Sequence, residues 1–571
     1  MTLSANQHKA IAIVLFLSLT VFLRLGSGEI QPNEEGLNAM SAKSITQQSI
    51  NSGQAKHSAT GIYSSSKPPL IVWAIAGSMS VFGENTFSVR LFTALCSAMA
   101  LAFFYLISRR FLTYSSSIIA LFLLSGTVAW NNYARQGLAD IPVIAFILGT
   151  LFFILKTLES TEKKYILTYS LFFALSFLCV IITKPIVWLF PLVFVGCLFL
   201  IKEKKKQISF LIFAGVLAII LSFLLYLIVT IKSGNNILSS LFPFQSVFDI
   251  INYSRLRMLD YFNQIIISNP FIIFGFIYII FAFNKINKLS ANSEHGKYLN
   301  YMLGVWFLIV FIILSDYLTN HPNYIVYLLP PAILLSLKFF DSNHLITKSN
   351  RILWIIVTAL IAFFLWSFIF NLRQEVELLI TGGQYSFYAL LFIIIIIISI
   401  LCAFILPKKL LDKISPSGLY YSITLIPYLM IFKVILLNLA APTGDSFGAI
   451  RTADILNSAD SKSFIYLYHE STPSDSINTQ LDWYTDGWLS GWDNSKTYIP
   501  IKQIKDYVDY ENLRRIDEFP DLLIVYYIHR NISIKSAVMK DLLSTRSIIS
   551  RKNNYIIFGK KKSERNLDKP I

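Results

Sequence analysis

Only four cysteines occur in 571 residues, and Cys96, Cys179, Cys197 and Cys402 all fall inside apolar runs. No disulfide framework is therefore legible, and the redox compartment stays open. Histidine is scarce too, at seven residues, and no two stand at metal-ligating spacing. A Gly-rich phosphate loop and a dinucleotide fingerprint are both missing, which removes the common nucleotide-binding classes. No internal repeat is found, which weighs against transporters built from repeated halves. Acidic residues are outnumbered, 33 to 49 basic, for a net charge of +16. In a soluble protein that excess would suggest nucleic acid, but most of the basic clusters lie between apolar runs, where they set orientation instead.

What the chain has in abundance is hydrophobic sequence, 55% of its residues. Runs such as Ile208 to Ile231 and Tyr385 to Leu406 are apolar on every side, without the alternation of a barrel strand. In lipid they satisfy their backbone only as helices. The fold class expected is an all-α polytopic membrane protein with about 13 transmembrane helices. In the first half the runs are Ala10 to Leu25, Phe87 to Ile107, Ser115 to Trp130, Ile141 to Leu155, Ile166 to Ile182, Ile186 to Ile201 and Ile208 to Ile231. The second half has Pro270 to Phe283, Leu299 to Leu314, Tyr324 to Leu337, Ile352 to Phe370, Tyr385 to Leu406 and Leu419 to Leu439.

Basic residues occupy every second connection: Arg109 and Arg110, Lys163 and Lys164, Lys202 to Lys206, and further clusters to Lys408 to Lys413. The positive-inside rule assigns those connections to the cytoplasm. The parity requires that the stretch Leu70 to Phe82 does not cross, so it reads as an interfacial or re-entrant helix. Arg24 and the lack of a small-residue cleavage site favour an uncleaved N-terminal anchor. Residues 1–441 are then a membrane domain, with 26–86 as its first periplasmic loop. The polar tail 442–571 is an extracytoplasmic small α/β domain, with strands at Phe464 to Tyr468 and Leu522 to Tyr527 and a hairpin about Asn553 and Asn554.

Chemistry-bearing residues gather in the outward connections. The first outer loop holds the adjacent carboxylates Glu34 and Glu35, then Ser66-Lys67-Pro68-Pro69-Leu70. Three more outward turns carry Tyr133-Ala134-Arg135 with Asp140-Ile141-Pro142, Thr183-Lys184-Pro185, and His321-Pro322-Asn323-Tyr324. Ionisable residues at membrane depth are costly, so Asp140 and Lys184 either serve function or form a structural ion pair. A cationic rim of Lys67, Arg135 and Lys184 suits a phosphate leaving group, and an opposing carboxylate suits a nucleophile's proton. His321 alone reads as a turn residue, and Trp483, Trp488 and Trp492 with Asp482 and Asp486 as core packing of the tail.

These residues, in this order, resemble the lipid-phosphate-sugar-dependent glycosyltransferases of the GT-C fold, a family that includes protein O-mannosyltransferases and lipid A aminoarabinose transferases. Gln31-Pro32-Asn33-Glu34-Glu35 is similar to the family's acidic pair, and Lys67-Pro68-Pro69-Leu70 with Arg90 to its Lys-Pro-Pro segment and downstream arginine. Arg135, Asp140 with Pro142, Thr183-Lys184 and Pro322-Asn323-Tyr324 resemble its later turns. The resemblance implies catalytic roles for Glu34 and Glu35, donor-phosphate contacts for Lys67, Arg135 and Lys184, and substrate contacts for Asp140, Tyr324 and His321. Departures stand at Asn38, where the family has tyrosine, and at Ser66, where one subgroup has glutamate.

The function implied is inverting transfer of a sugar, or an amino sugar, from polyprenyl (undecaprenyl) phosphate to lipid A or a related envelope glycolipid at the periplasmic face of the bacterial inner membrane. A protein O-glycosyl or polysaccharide-modifying transferase is the alternative acceptor reading, and a lipid transporter or flippase the alternative class. No cofactor is expected; a divalent metal, which the resemblance allows, finds no ligand spacing to support it. Membrane lipids are the expected partners, and nucleic acid is not.

Overall fold

Helical segments follow the apolar runs closely in the computed structural model, which describes residues 5–31, 34–50, 69–184, 189–198, 204–233, 294–317 and 322–341. It also describes five strands between 464 and 559, and single helical positions at 275, 279 and within 430–439. The helices are α1 (Ala5–Phe22), α2 (Glu34–Ile50), α3 (Pro69–Phe82), α4 (Thr86–Phe111), α5 (Tyr114–Gly126) and α6 (Val128–Ala134). Then come α7 (Asp140–Glu159), α8 (Lys163–Thr183), α9 (Leu189–Leu198), α10 (Lys205–Ser233), α11 (Glu294–Tyr317) and α12 (Leu329–Asp341). Among the described residues four helices are long and apolar enough to span a bilayer, at Thr86–Phe111, Asp140–Glu159, Lys163–Thr183 and Lys205–Leu225. The membrane part of the protein is helical. The runs Ile352 to Phe370 and Tyr385 to Leu406 lie outside the described residues.

Two expected crossings are interrupted for local reasons. The run Ser115 to Trp130 breaks at Thr127, which is extended (φ −70°, ψ 123°) and separates α5 from α6. The run Tyr324 to Leu337 begins as a 3-10 turn, Pro322–Tyr327, and becomes α-helical only from Leu329. Pro330 and Pro331 have no N–H to give a preceding turn, so they fit the start of a helix and not its middle.

Contacts divide the chain into two units, one made of Met1–Leu23, Ala94–Arg135 and Ala139–Leu439, the other of Arg24–Thr93, Gln136–Leu138 and Ala440–Ile571. In the first, α7 packs along α8 and α8 along α10, while α12 lies against α5 and α11. Close approach is visible at Gly126, where an added Cβ would meet Met430 Cβ at 2.7 Å. A small residue is what lets helices meet this closely. Asn131 Nδ2 donates to Asn438 Oδ1 at 2.9 Å, and Asn438 Nδ2 to the Thr20 carbonyl at 2.8 Å. These buried amides tie the end of α1, α6 and the helical positions near 438 together.

In the second unit α2 packs on α3. Gly83, with φ +79°, ends α3 in the left-handed conformation open to glycine. Asn85 then caps α4, its Oδ1 accepting from the Ser88 N–H at 2.9 Å. The tail carries a five-stranded sheet of order β2-β1-β3-β5-β4, made of β1 (Phe464–His469), β2 (Ile501–Ile504), β3 (Leu522–Tyr527), β4 (Ser547–Lys552) and β5 (Tyr555–Gly559). Strand β1 runs parallel to β2 and β3, and β5 antiparallel to β3 and β4. Strands lie where the sequence places them at 464, 522 and around Asn553-Asn554; β2 is the one it misses.

Candidate functional site

The residues that the sequence singles out fall in both units. In the second unit Glu34 and Glu35 open α2, where carboxylates meet the positive end of the helix dipole. Their surroundings differ. Glu35 is 1% exposed, and its Oε1 accepts from Arg90 Nε at 2.8 Å and from the Gly137 N–H at 2.9 Å. Oε2 accepts from the Gln31 N–H at 2.7 Å and from Arg90 Nη2 at 3.3 Å. The same guanidinium donates to the carbonyls of Leu25, Ser27 and Glu29 at 3.3, 2.8 and 2.7 Å. Four donors fill the carboxylate and a full positive charge balances it, so protonating it would break a buried pair. Glu35, expected to act with Glu34 in catalysis, is the carboxylate through which Arg90 fixes the chain's entry into α2.

Glu34 is half-buried, and among the described residues it holds no hydrogen bond or ion pair. Of the two adjacent acids it is the one available to a substrate. Asn38, on the same face of α2 as Glu35, donates to the Gly137 carbonyl at 2.8 Å. The helix thus grips both backbone groups of Gly137. There is no room for a side chain there, since a Cβ would stand 2.6 Å from Val89 Cγ1 and 3.0 Å from the Val89 carbonyl oxygen. Thr93 Oγ1 donates to Leu138 at 3.2 Å, pinning the same turn to α4, and Lys43 pairs with Glu84 at 3.0 Å.

In the first unit Asp140 begins α7 and Lys184 follows α8, and they form an ion pair at 2.7 Å. Asp140 is fully buried and also accepts from the Tyr327 hydroxyl at 2.9 Å. The Lys184 ammonium sits 4.0 Å from the Tyr324 ring centre and 5.8 Å from that of Tyr327. A 3-10 helix has three residues per turn, so Tyr324 and Tyr327 fall on one face, their rings 5.8 Å apart. A cation over aromatic faces is stabilised without losing its charge. Asp140, expected to contact substrate, is held by Lys184 and by Tyr327. Arg135 closes α6, and its Nη1 donates to the carbonyls of Val21, at 2.7 Å, and Leu23. Those carbonyls end α1 and would otherwise lack intrahelical partners.

Lys67, His321 and the segment holding Trp483, Trp488 and Trp492 lie outside the described residues. Sequence reasoning missed Gly137 and Tyr327 and left Arg90 without a role. Tyr327 was legible in the Tyr-x-x-Tyr spacing; Gly137 was not, because its constraint comes from Val89, far away in the chain. Among the described residues no three His, Cys, Asp or Glu side chains are grouped to hold a metal ion.

The family model of dolichyl-phosphate-mannose-protein mannosyltransferases matches residues 66–236, which include Lys67, Arg90, Arg135, Asp140 and Lys184. A protein of Aquifex aeolicus (strain VF5) is 24% identical over 367 residues, 62% of this chain and 68% of that protein. The oligosaccharyltransferase of Archaeoglobus fulgidus, solved tethered to an acceptor peptide, superposes with a TM-score of 0.50 at 10% identity, covering 91% of this chain and 69% of that one. With the helical membrane architecture, these likenesses show a fold like that of the GT-C enzymes that the sequence resembles. The likeness runs end to end in ArnT of Cupriavidus metallidurans, solved bound to undecaprenyl phosphate: TM-score 0.59 and 14% identity, over 98% of this chain and 99% of that one.

Proposed function

We propose that this chain is an inverting glycosyltransferase that moves a sugar from undecaprenyl or a related polyprenyl phosphate onto lipid A or a similar envelope glycolipid, at the periplasmic face of the bacterial inner membrane. The observation that carries the reading is the division of labour in the acidic pair. Glu35 is saturated by Arg90, Gly137 and Gln31, while its neighbour Glu34 has no partner among the described residues. The full-length likeness to a protein solved with undecaprenyl phosphate supports the lipid-phosphate donor.

In this mechanism the acceptor oxygen attacks C1 of the sugar on the face opposite the phosphate. The C1–O bond to phosphate breaks, the anomeric configuration inverts, and the lipid phosphate leaves with the bonding electrons. A hydroxyl acceptor passes its proton to the Glu34 carboxylate. A lipid A phosphate is already ionised and has no proton to give; Glu34 then orients the donor or binds an amine on its sugar. Lys184, Arg135 and Lys67 neutralise the departing phosphate. Asp140 and Tyr327 hold the Lys184 ammonium, and Tyr324 and His321 complete the substrate surroundings. No step is assigned to a metal or a nucleotide. The tail, 442–571, stands on the periplasmic side as an α/β domain.

A second reading keeps the donor and changes the acceptor to a protein hydroxyl, favoured by the family match over 66–236. Mass spectrometry of lipid A, other envelope glycolipids and periplasmic proteins, from cells with and without this chain, distinguishes the two. A sugar mass increment on the glycolipid fraction, dependent on the chain, is the expected result. An increment found on proteins alone would replace the first reading with the second, and none on any fraction would end both.

A further inference from the structure

A cavity of about 850 Å3 opens in the first unit at the end of the helices that carries Arg109 and Arg110. Its walls are apolar, from Ile11, Val14 and Leu15 on α1 and Ala102 and Leu106 on α4, and its mouth is polar, from Asn6, Tyr114, Arg109, Arg110 and Glu159. On α1 the lining runs from Asn6 to Leu15 and on α4 from Ala102 to Arg110. At 1.5 Å per residue these spans are about 12–14 Å deep. One leaflet of the hydrocarbon core is roughly 15 Å deep, so the cavity reaches as far as a lipid tail does and much further than a small soluble anion needs. Ile11, Leu15 and Leu106 are exposed side chains, so the groove is open to the surrounding bilayer.

Charge selects the headgroup. Arg110 and Lys156 share one carboxylate, Glu159. Arg109 donates to the Leu112 carbonyl and lies 5.5 Å from the Tyr114 ring, with no carboxylate against it among the described residues. Glu159 lines the cavity as well and balances Arg110, so Arg109 leaves the mouth net positive. We propose that this cavity binds an anionic glycerophospholipid of the leaflet that the basic connections assign to the cytoplasm, with its phosphate at Arg109 and Arg110 and an acyl chain along α1 and α4. The cavity's lining includes neither the acidic pair nor Lys184, and the inference is independent of the transfer reaction proposed above.

Native mass spectrometry of the full-length protein, released from vesicles of phosphatidylcholine with phosphatidylglycerol, tests it. The wild type is expected to retain phosphatidylglycerol in preference to phosphatidylcholine. Arg109→Gln should lower that retention about fivefold, the effect of one juxtamembrane cation on an anionic lipid. Ala102→Trp, which fills the groove and keeps every charge, should lower it as well. Equal retention of the two lipids would overturn the proposal, as would an Arg109→Gln protein that retains as much as the wild type. A loss in Arg109→Gln with none in Ala102→Trp would mean surface attraction without a built cavity and would also overturn it. Retention of added undecaprenyl phosphate by the wild type in preference to phosphatidylglycerol, lost in Ala102→Trp, would overturn it and assign the cavity to the polyprenyl lipid instead.

Discussion

Adjacent acids in one sequence motif have opposite surroundings, and the difference lies in what reaches each carboxylate. Glu35 gathers two guanidinium donors and two backbone N–H groups; Glu34 gathers none among the described residues. Removing one member of a buried charged pair costs roughly 3–5 kcal/mol. Glu35→Gln and Arg90→Ala are therefore expected to lower the thermal midpoint and membrane abundance sharply, read by intrinsic fluorescence on heating the purified protein. Lys184 needs a different comparison, because its pairing with the fully buried Asp140 makes a single change ambiguous. Lys184→Gln alone should destabilise, since Asp140 is left charged and unmatched. The double change Asp140→Asn with Lys184→Gln removes both charges and should restore most of the stability, while sugar transfer stays lost. Recovery of transfer in the double variant would make the pair purely structural. At this scale the motif was legible and the roles were not: residue identity locates an acid, but only the folded neighbourhood says whether its lone pairs are already used.

Elements are held in place by a few tight contacts whose partners lie far apart in the chain. The turn Gln136–Leu138 is gripped by α2 through Glu35 and Asn38 and pressed against Val89 of α4. Gly137→Ala forces a Cβ to within 2.6 Å of Val89 Cγ1 and 3.0 Å of backbone oxygen that cannot move aside alone. A loss of roughly 1–3 kcal/mol, the usual effect of overpacking, is expected in denaturant or thermal titration. Asn438→Ala removes the amide that bridges Thr20 and Asn131. Interhelical hydrogen bonds in membranes are worth about 1 kcal/mol, so a modest fall in midpoint is expected, without loss of insertion. Apolar periodicity predicted most helices to within a few residues, as for Phe87 to Ile107 against α4. It failed at Thr127 and at Pro322–Tyr327, where one hydrophobic run contains two backbone conformations and hydropathy alone does not record the change.

At the scale of the whole molecule, the fold was readable because the motifs are ordered along the chain, from the acidic pair through Lys184 to Tyr324. The fold agrees over nearly the entire length with ArnT of Cupriavidus metallidurans. Sugar and acceptor identity were not readable, since they depend on side chains brought together by folding and on a tail whose strands alone are described. The central claim is that Glu34 takes part in transfer while Glu35 builds the entry to α2. The direct measurement is mass spectrometry of envelope glycolipids from cells carrying the wild-type chain or Glu34→Gln at matched membrane abundance. The account predicts that the sugar-bearing species disappears with Glu34→Gln while the protein keeps its thermal midpoint. The same sugar-bearing species at wild-type level with Glu34→Gln would contradict it.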